Sequence, residues 1–165
     1  MPLEIERRFL VSKTRVGPQN LAVRTDFIVQ TYLLNETVDV TERVRRSTDG
    51  YTNVYTHTLK VPVSPGVSDE TELIISPEEY GALLKRADPR LNDIHKTRYT
   101  FEWEGLTWEL DRFQGPLNGL WILEIELEDL HTHVGVPPFI TVAKEITGDR
   151  LYSNRALSEC QAPPL

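Results

Sequence analysis

Residues 3–11 read Leu3-Glu4-Ile5-Glu6-Arg7-Arg8-Phe9-Leu10-Val11. Successive side chains on a strand point to opposite faces. In extended form Glu4, Glu6 and Arg8 therefore share one face, while Leu3, Ile5, Phe9 and Val11 mostly define the other. The same period-two alternation, the signature of a strand, recurs over residues 26–34, 38–47, 52–61, 70–75, 93–103, 106–113 and 121–127. Asp49-Gly50 and Glu104-Gly105 read as tight hairpin turns between neighbouring strands. Eight mostly sequential strands with few helices predict an α+β protein built on an eight-stranded antiparallel β-barrel.

Almost every strand carries charged or polar residues on one face: Glu4, Glu6 and Arg8; Arg43 and Arg45; Thr56, Thr58 and Lys60; Glu70 and Glu72; Lys96 and Arg98; Glu109 and Asp111; Glu124 and Glu126. Placed outward, these residues form a solvated face, the ordinary location of Lys, Glu and Arg. Placed inward, they line a polar tunnel, and Ile5, Val44, Trp108, Leu110 and Ile125 on the opposite faces then need cover. Periodicity alone leaves both arrangements open. Carboxylates two residues apart on a strand lie about 6–7 Å apart at the backbone. They repel by roughly 2–3 kcal/mol at an effective dielectric near 20. Three such pairs in a tunnel are tolerable beside divalent cations and facing Arg and Lys. Hard Mg²⁺ or Mn²⁺ takes carboxylate oxygens, and guanidinium and ammonium groups take phosphate oxygens.

Helical signals are sparse. Ser76-Pro77-Glu78-Glu79 is a capping box with proline at the first helical position, leading into a short helix over 80–87 that Asp88-Pro89 ends. A second helix is expected over 138–146, stopped by Gly148, and a short one over 153–158. Residues 1–160 form one domain and 161–165 a loose tail. The 165 residues, 39% hydrophobic and 26% charged, suit a single globular core. A net charge of −7 argues against a protein that coats nucleic acid, and no apolar run reaches the length of a membrane span. Four charges within the first eleven residues and a single cysteine, Cys160, make a reducing cytoplasm the expected location.

The ordered series Glu4-Ile5-Glu6-Arg7-Arg8, Gln30-Thr31-Tyr32-Leu33, Arg43-Val44-Arg45, Thr58-Leu59-Lys60, Glu70-Thr71-Glu72, Lys96-Thr97-Arg98-Tyr99, Glu109-Leu110-Asp111 and Glu124-Ile125-Glu126 resembles the CYTH superfamily, the triphosphate tunnel metalloenzymes. The opening segment is similar to its E-x-E-x-K signature. The segments 145–150 and 152–155 resemble the close of its bacterial members. The resemblance spans nearly the whole chain and implies an eight-stranded tunnel with charged walls. It implies that triphosphate is bound by Arg8, Arg43, Arg45, Lys60, Lys96 and Arg98, with Arg8, Lys60 and Arg98 closest to the chemistry. It implies Mg²⁺ or Mn²⁺ on Glu4, Glu6, Asp111, Glu124 and Glu126. Glu70, Glu72 and Glu109 fall in the same motif pairs without an assigned role.

One departure stands out: the family's lysine is Arg8 here, a planar fork in place of a compact ammonium. The histidine-containing motif of the superfamily's adenylyl cyclases is not found. Inorganic tripolyphosphate, which needs no surface for an organic group, is the expected substrate. Thiamine triphosphate, another organic triphosphate, and polyphosphate binding without turnover are the alternatives. His131-Thr132-His133 reads as a loop feature, and Trp103, Trp108 and Trp121 read as packing residues.

Overall fold

The computed structural model describes residues 3–164. Its strands are β1 (Leu3–Thr14), β2 (Arg24–Tyr32), β3 (Thr41–Thr48), β4 (Asn53–Ser64), β5 (Val67–Ile75), β6 (Ile94–Trp103), β7 (Leu106–Phe113), β8 (Trp121–Glu126) and β9 (Ile140–Glu145). They hydrogen-bond in the order β5-β4-β3-β2-β6-β7-β8-β1-β9, and an additional β1–β5 pairing closes the first eight into an antiparallel barrel. Strand β1 is long enough to serve three neighbours. It pairs with β5 through residues 3–5, with β8 through 6–10, and with β9 between Phe9 and Thr14.

The helix expected over 138–146 is not formed; β9 occupies that stretch. Pro137-Pro138 resembles a helix start, but Ile140, Thr141 and Val142 are β-branched, and their backbone completes the open edge of β1. Among the described residues a short α1 (Pro18–Leu21) was not anticipated, and no helix is long and apolar enough to cross a membrane. In α2 (Pro77–Leu84), the Ser76 hydroxyl accepts from the Glu79 N–H at 3.0 Å, and the Glu79 carboxylate accepts from the Ser76 N–H at 3.4 Å. This helix ends before Ala87 because residues 86 and 87 donate to carbonyls three residues back, a tightened last turn. The Leu33–Ala87 bridge then draws the chain onto the sheet. A 3₁₀ turn over Arg150–Tyr152 and α3 (Asn154–Leu157), capped by Ser153, close the fold. Of the expected tail, residues 161–164 are exposed or half-buried, and Leu165 lies outside the described residues.

Trp103 pairs with Leu106, leaving Glu104 (φ +50°) and Gly105 (φ +74°) as a two-residue primed turn. Asp49-Gly50 instead opens a longer hairpin loop, 49–52, with the Asp49 carboxylate accepting from the N–H groups of Tyr51 and Thr52. Gly66 makes the β4–β5 turn at φ +76°, where a Cβ would meet Thr147 Cγ2 at 2.7 Å and the Glu6 carbonyl at 2.9 Å. Gly66→Ala combines left-handed strain with this clash. It should cost about 2 kcal/mol and lower Tm by about 4–8 °C for a chain of this size. An unchanged melting curve would show that the turn is not held as described.

The packing core lies mainly outside the barrel. Phe9, Phe101, Trp108, Leu110, Leu123 and Ile125 face outward from β1, β6, β7 and β8, yet are at most 4% exposed. Their cover comes from Leu21, from Val134, Val136 and Phe139 in the segment between β8 and β9, and from Ile140 and Val142 of β9. Trp103 and Trp121 pack against the same cluster, which fits their reading as packing residues. A second cluster stoppers part of one barrel end, where lumen-facing Tyr32, Ile94, Phe113 and Ile122 meet Leu117, Leu120, Tyr152 and Leu157. With the apolar faces covered on the outside, the charged faces turn inward.

Candidate active site in the barrel lumen

The strand registers bring the charged faces into one space. Glu6 lies opposite Glu126 and Arg8 opposite Glu124; Arg98 lies opposite Asp111, Lys60 opposite Glu70, and Glu109 opposite Glu124. A cavity of about 870 Å³ enters the barrel past Glu6, Arg8, Arg43, Thr58 and Lys60, bordered by residues of the 148–159 segment including Arg150, Asn154 and Arg155. Arg43 and Arg8 are buried, Lys60 is half-exposed, and Glu126 is exposed. His131 and His133 are exposed in the segment between β8 and β9.

Arg8 and Arg43 each keep a buried N–H group without a partner, and Arg45 has no carboxylate partner. Arg8 donates from Nε to Glu124 Oε1 at 3.0 Å and from Nη1 to the Tyr152 carbonyl at 2.7 Å, while its buried Nη2 has no hydrogen-bond partner. Arg43 Nη2 lies 3.6 Å from Glu70 Oε1, and its Nε is buried without a partner. Arg45 donates to the Gln30 amide oxygen, 2.8 Å from Nε, rather than to a carboxylate. Burial, reinforced by the charges of Arg43 and Arg98, pulls the Arg45 guanidinium down to about 10. The more distant charges of Glu72 and Asp111 oppose this shift without cancelling it. Gln30 was quoted in the sequence without a role. Its signal was its place two residues before Tyr32 on the same face of β2, opposite Arg45.

The acids show the complementary stress. Glu4 is pushed up to about 9, chiefly by burial, then by its hydrogen bond to Glu70 and by the charges of Glu70 and Glu6. Burial and Glu124 raise Glu6. Burial opposes ionisation of Glu70 as well, but its hydrogen bond with Glu4 and the nearby Arg43 and Lys60 bring it below its ordinary range. Glu4 and Glu70 thus share a proton and titrate as a pair.

Among the described residues no three acidic, His or Cys side chains converge as a ready ligand set. The donor chemistry nevertheless fits a hard cation. Mg²⁺ is usually held by one or two carboxylates with substrate phosphates and water completing the shell, and a divalent charge offsets the burial and the carboxylate repulsion that together favour protonated Glu4.

A carboxyl whose pKa is raised in the folded state stabilises fully below its ordinary value and loses that contribution as pH climbs to the raised value. For Glu4 the window runs from 4.5 to about 9. With chelator present, Tm should fall across that window. Mn²⁺ should raise Tm more at pH 9 than at pH 6, because binding displaces the shared proton. A Tm flat in pH, with metal stabilisation independent of pH, would contradict the buried carboxyl pair.

The two remaining site residues lie deepest. Asp111 and the Lys96 side chain are fully buried, with Lys96 Nζ 2.8 Å from Asp111 Oδ2. Arg98 grips both Asp111 oxygens, at 2.8 and 2.9 Å, and also reaches Glu109 at 2.8 Å and Glu124 at 3.4 Å.

No family model matches the chain. It is 47% identical over 64 residues to an inorganic triphosphatase of Acetivibrio thermocellus, a match spanning 39% of this chain and 40% of the relative. It is 31% identical over 159 residues to an inorganic triphosphatase of Nitrosomonas europaea, covering 94% of this chain and 96% of the relative. The crystal structure of the inorganic triphosphatase NE1496 superposes with a TM-score of 0.64 at 30% identity, covering 99% of both chains. The HpAC1 protein from Hippeastrum, a putative adenylyl cyclase with dominant triphosphatase activity, shares the fold at a TM-score of 0.53 and 19% identity. Related over nearly its whole length to the Nitrosomonas protein and built on the same charged barrel, the chain belongs to the inorganic triphosphatases of the CYTH, or triphosphate tunnel, superfamily.

Proposed function

We propose that this triphosphatase hydrolyses inorganic tripolyphosphate with Mg²⁺ or Mn²⁺ in the cytoplasm. The observation that carries the substrate reading is the set of basic side chains gathered in the lumen, in which half-buried Arg45, near Arg43 and Arg98, is held by the Gln30 amide rather than by a carboxylate. A linear polyanion supplies the missing counter-charge. Arg43, Arg45 and Lys60 would bind its phosphates along β3 and β4, Arg8 would reach them from β1 through its free Nη2, and Arg98 from β6. Phosphoryl transfer asks little covalent work of a protein, so positioning and charge neutralisation dominate.

Glu4, Glu6 and Glu124 would hold the cation, with Glu126 at the exposed rim. The bound cation supplies neutralisation at the phosphate oxygens and activation of water as nucleophile. Around it, Arg98 is paired with Glu109, Asp111 and Glu124, and Gln30 holds Arg45 through its amide oxygen. The single cysteine supports a reducing compartment.

Phosphate release from tripolyphosphate, ATP, thiamine triphosphate and pyrophosphate, each with Mg²⁺ and with Mn²⁺, tests the reading. The highest kcat/KM is expected for tripolyphosphate. Arg45→Ala should weaken tripolyphosphate binding by roughly 1.5–3 kcal/mol, the loss of a charge-assisted contact. Calorimetric binding without metal-dependent phosphate release would instead identify a polyphosphate-binding module.

A further inference from the structure

We infer that Asp111 and Lys96 are positioning residues for Arg98, and that neither is a metal ligand or a phosphate ligand in this chain. The inference rests on the tunnel being the triphosphate site and assigns how its deepest cation is aimed.

The first observation is burial. Asp111 and the side chain of Lys96 have no accessible surface, whereas the carboxylate of Glu109 is 25% exposed and that of Glu6 is 19% exposed. A metal ion or phosphate in the lumen reaches Glu6 directly, but reaches Asp111 only past the Arg98 guanidinium.

The second is saturation. Asp111 Oδ1 takes Arg98 Nε at 2.8 Å, and Oδ2 takes both Arg98 Nη2 at 2.9 Å and Lys96 Nζ at 2.8 Å. Capture by a cation would strip a two-pronged arginine contact and leave two buried positive charges unpaired. Lys96 contributes charge rather than a hydrogen bond: its ammonium has no hydrogen-bond partner, sits in ion-pair contact with Asp111, and lies 5.4 Å from the centre of the Phe113 ring, within the apolar stopper of the barrel.

The third is the division of the Arg98 fork. Asp111 occupies the Nε–Nη2 edge from the wall. Nη1 points to Glu109 at 2.8 Å, and the outer side of Nη2 points to Glu124 at 3.4 Å. Glu109 keeps accessible surface and Glu124, shared with Arg8, keeps a little, whereas Asp111 has none, so a cation in the lumen meets those two first. When substrate and metal arrive, Glu109 and Glu124 can release Arg98 to a phosphate while Asp111 keeps the guanidinium plane fixed. A planar guanidinium held along one edge presents its remaining N–H groups in a fixed direction. Lys96 supplies the second positive charge that keeps a fully buried carboxylate ionised for this task.

The test uses the full chain, with Asp111→Asn, Lys96→Met and the double variant, read by melting, by Mn²⁺ binding alone in electron paramagnetic resonance, and by tripolyphosphate kinetics. Asp111→Asn strands the buried Lys96 ammonium, and Lys96→Met leaves the buried Asp111 carboxylate with Arg98 alone; each should lower Tm by about 10 °C. The double variant should recover at least half of that loss. Asp111→Asn should raise KM for tripolyphosphate about 10-fold or more, while the Mn²⁺ dissociation constant stays within about 2-fold of the parent. A Mn²⁺ affinity lowered 10-fold or more, or no recovery in the double variant, would overturn the assignment.

Should the variants not fold, the position of Mn²⁺ in crystals of the parent decides. Density within about 2.2 Å of an Asp111 oxygen overturns the proposal, and density on Glu4, Glu6 or Glu124 with Asp111 still on Arg98 supports it. A parent without tripolyphosphate turnover or binding defeats the proposed function instead, and the melting cycle and the Mn²⁺ measurements still decide the role of the pair.

Discussion

Glu6→Gln is expected to reduce metal-dependent tripolyphosphate hydrolysis by about 100-fold or more, since even indirect disturbance of a metal site commonly costs 10–100-fold. The fold should survive. Glu6 is half-buried in the lumen, its nearest cation is Lys60 at 4.0 Å, and burial with Glu124 already disfavours its charge. Removing that charge relieves repulsion in the empty tunnel, so Tm should hold or rise while activity falls. The same pattern is expected for Glu4→Gln. Phosphate release at saturating and limiting Mn²⁺, beside a melting curve, separates the outcomes. Full activity in both variants would remove the proposed metal site, and a large drop in Tm with activity intact would make these carboxylates structural.

The second large effect is expected at Arg8, where the chain leaves its family's pattern. Nε and Nη1 are spent on Glu124 and on the Tyr152 carbonyl, leaving Nη2 for substrate. Arg8→Ala should therefore lose affinity and turnover together, by about 10–100-fold in kcat/KM for a charge-assisted contact. Arg8→Lys keeps the charge but cannot serve three directions at once. It should retain most of the binding and change kcat more than KM, because the lysine must choose between Glu124, the C-terminal turn and the phosphate. Steady-state kinetics of the three proteins with Mn²⁺ decide it. An Arg8→Ala enzyme indistinguishable from the parent would place Arg8 outside the tunnel's working surface.

The motif strands were legible because strand periodicity is local: Glu4, Glu6 and Arg8 share a face whatever the chain does elsewhere. Which face turns inward was implied by the family resemblance alone and not by periodicity, because the cover over Trp108 and Leu110 comes from residues 134–142, which show no clear alternation. Pro137-Pro138 disguised β9 as a helix start, and only the unfilled edge of β1 explains its extension. Within the site, the sequence placed Lys96 and Arg98 on one face but could not tell how deep each lies. Depth is set by the apolar stopper of Ile94, Phe113 and Tyr152, assembled from three distant parts of the chain.

The triple partnership of β1 has a consequence for how the protein is made. Its partners β8 and β9 begin at Trp121 and Ile140, so the strand that carries Glu4, Glu6 and Arg8 is synthesised more than a hundred residues before most of its pairing partners. Until β8 emerges from the ribosome the barrel cannot close, and β1 beyond its residues 3–5 waits unpaired with an apolar outer face. Contacts this distant in sequence slow folding and prolong exposure to aggregation. Nascent chains stalled before residue 121 should therefore stay protease-sensitive throughout.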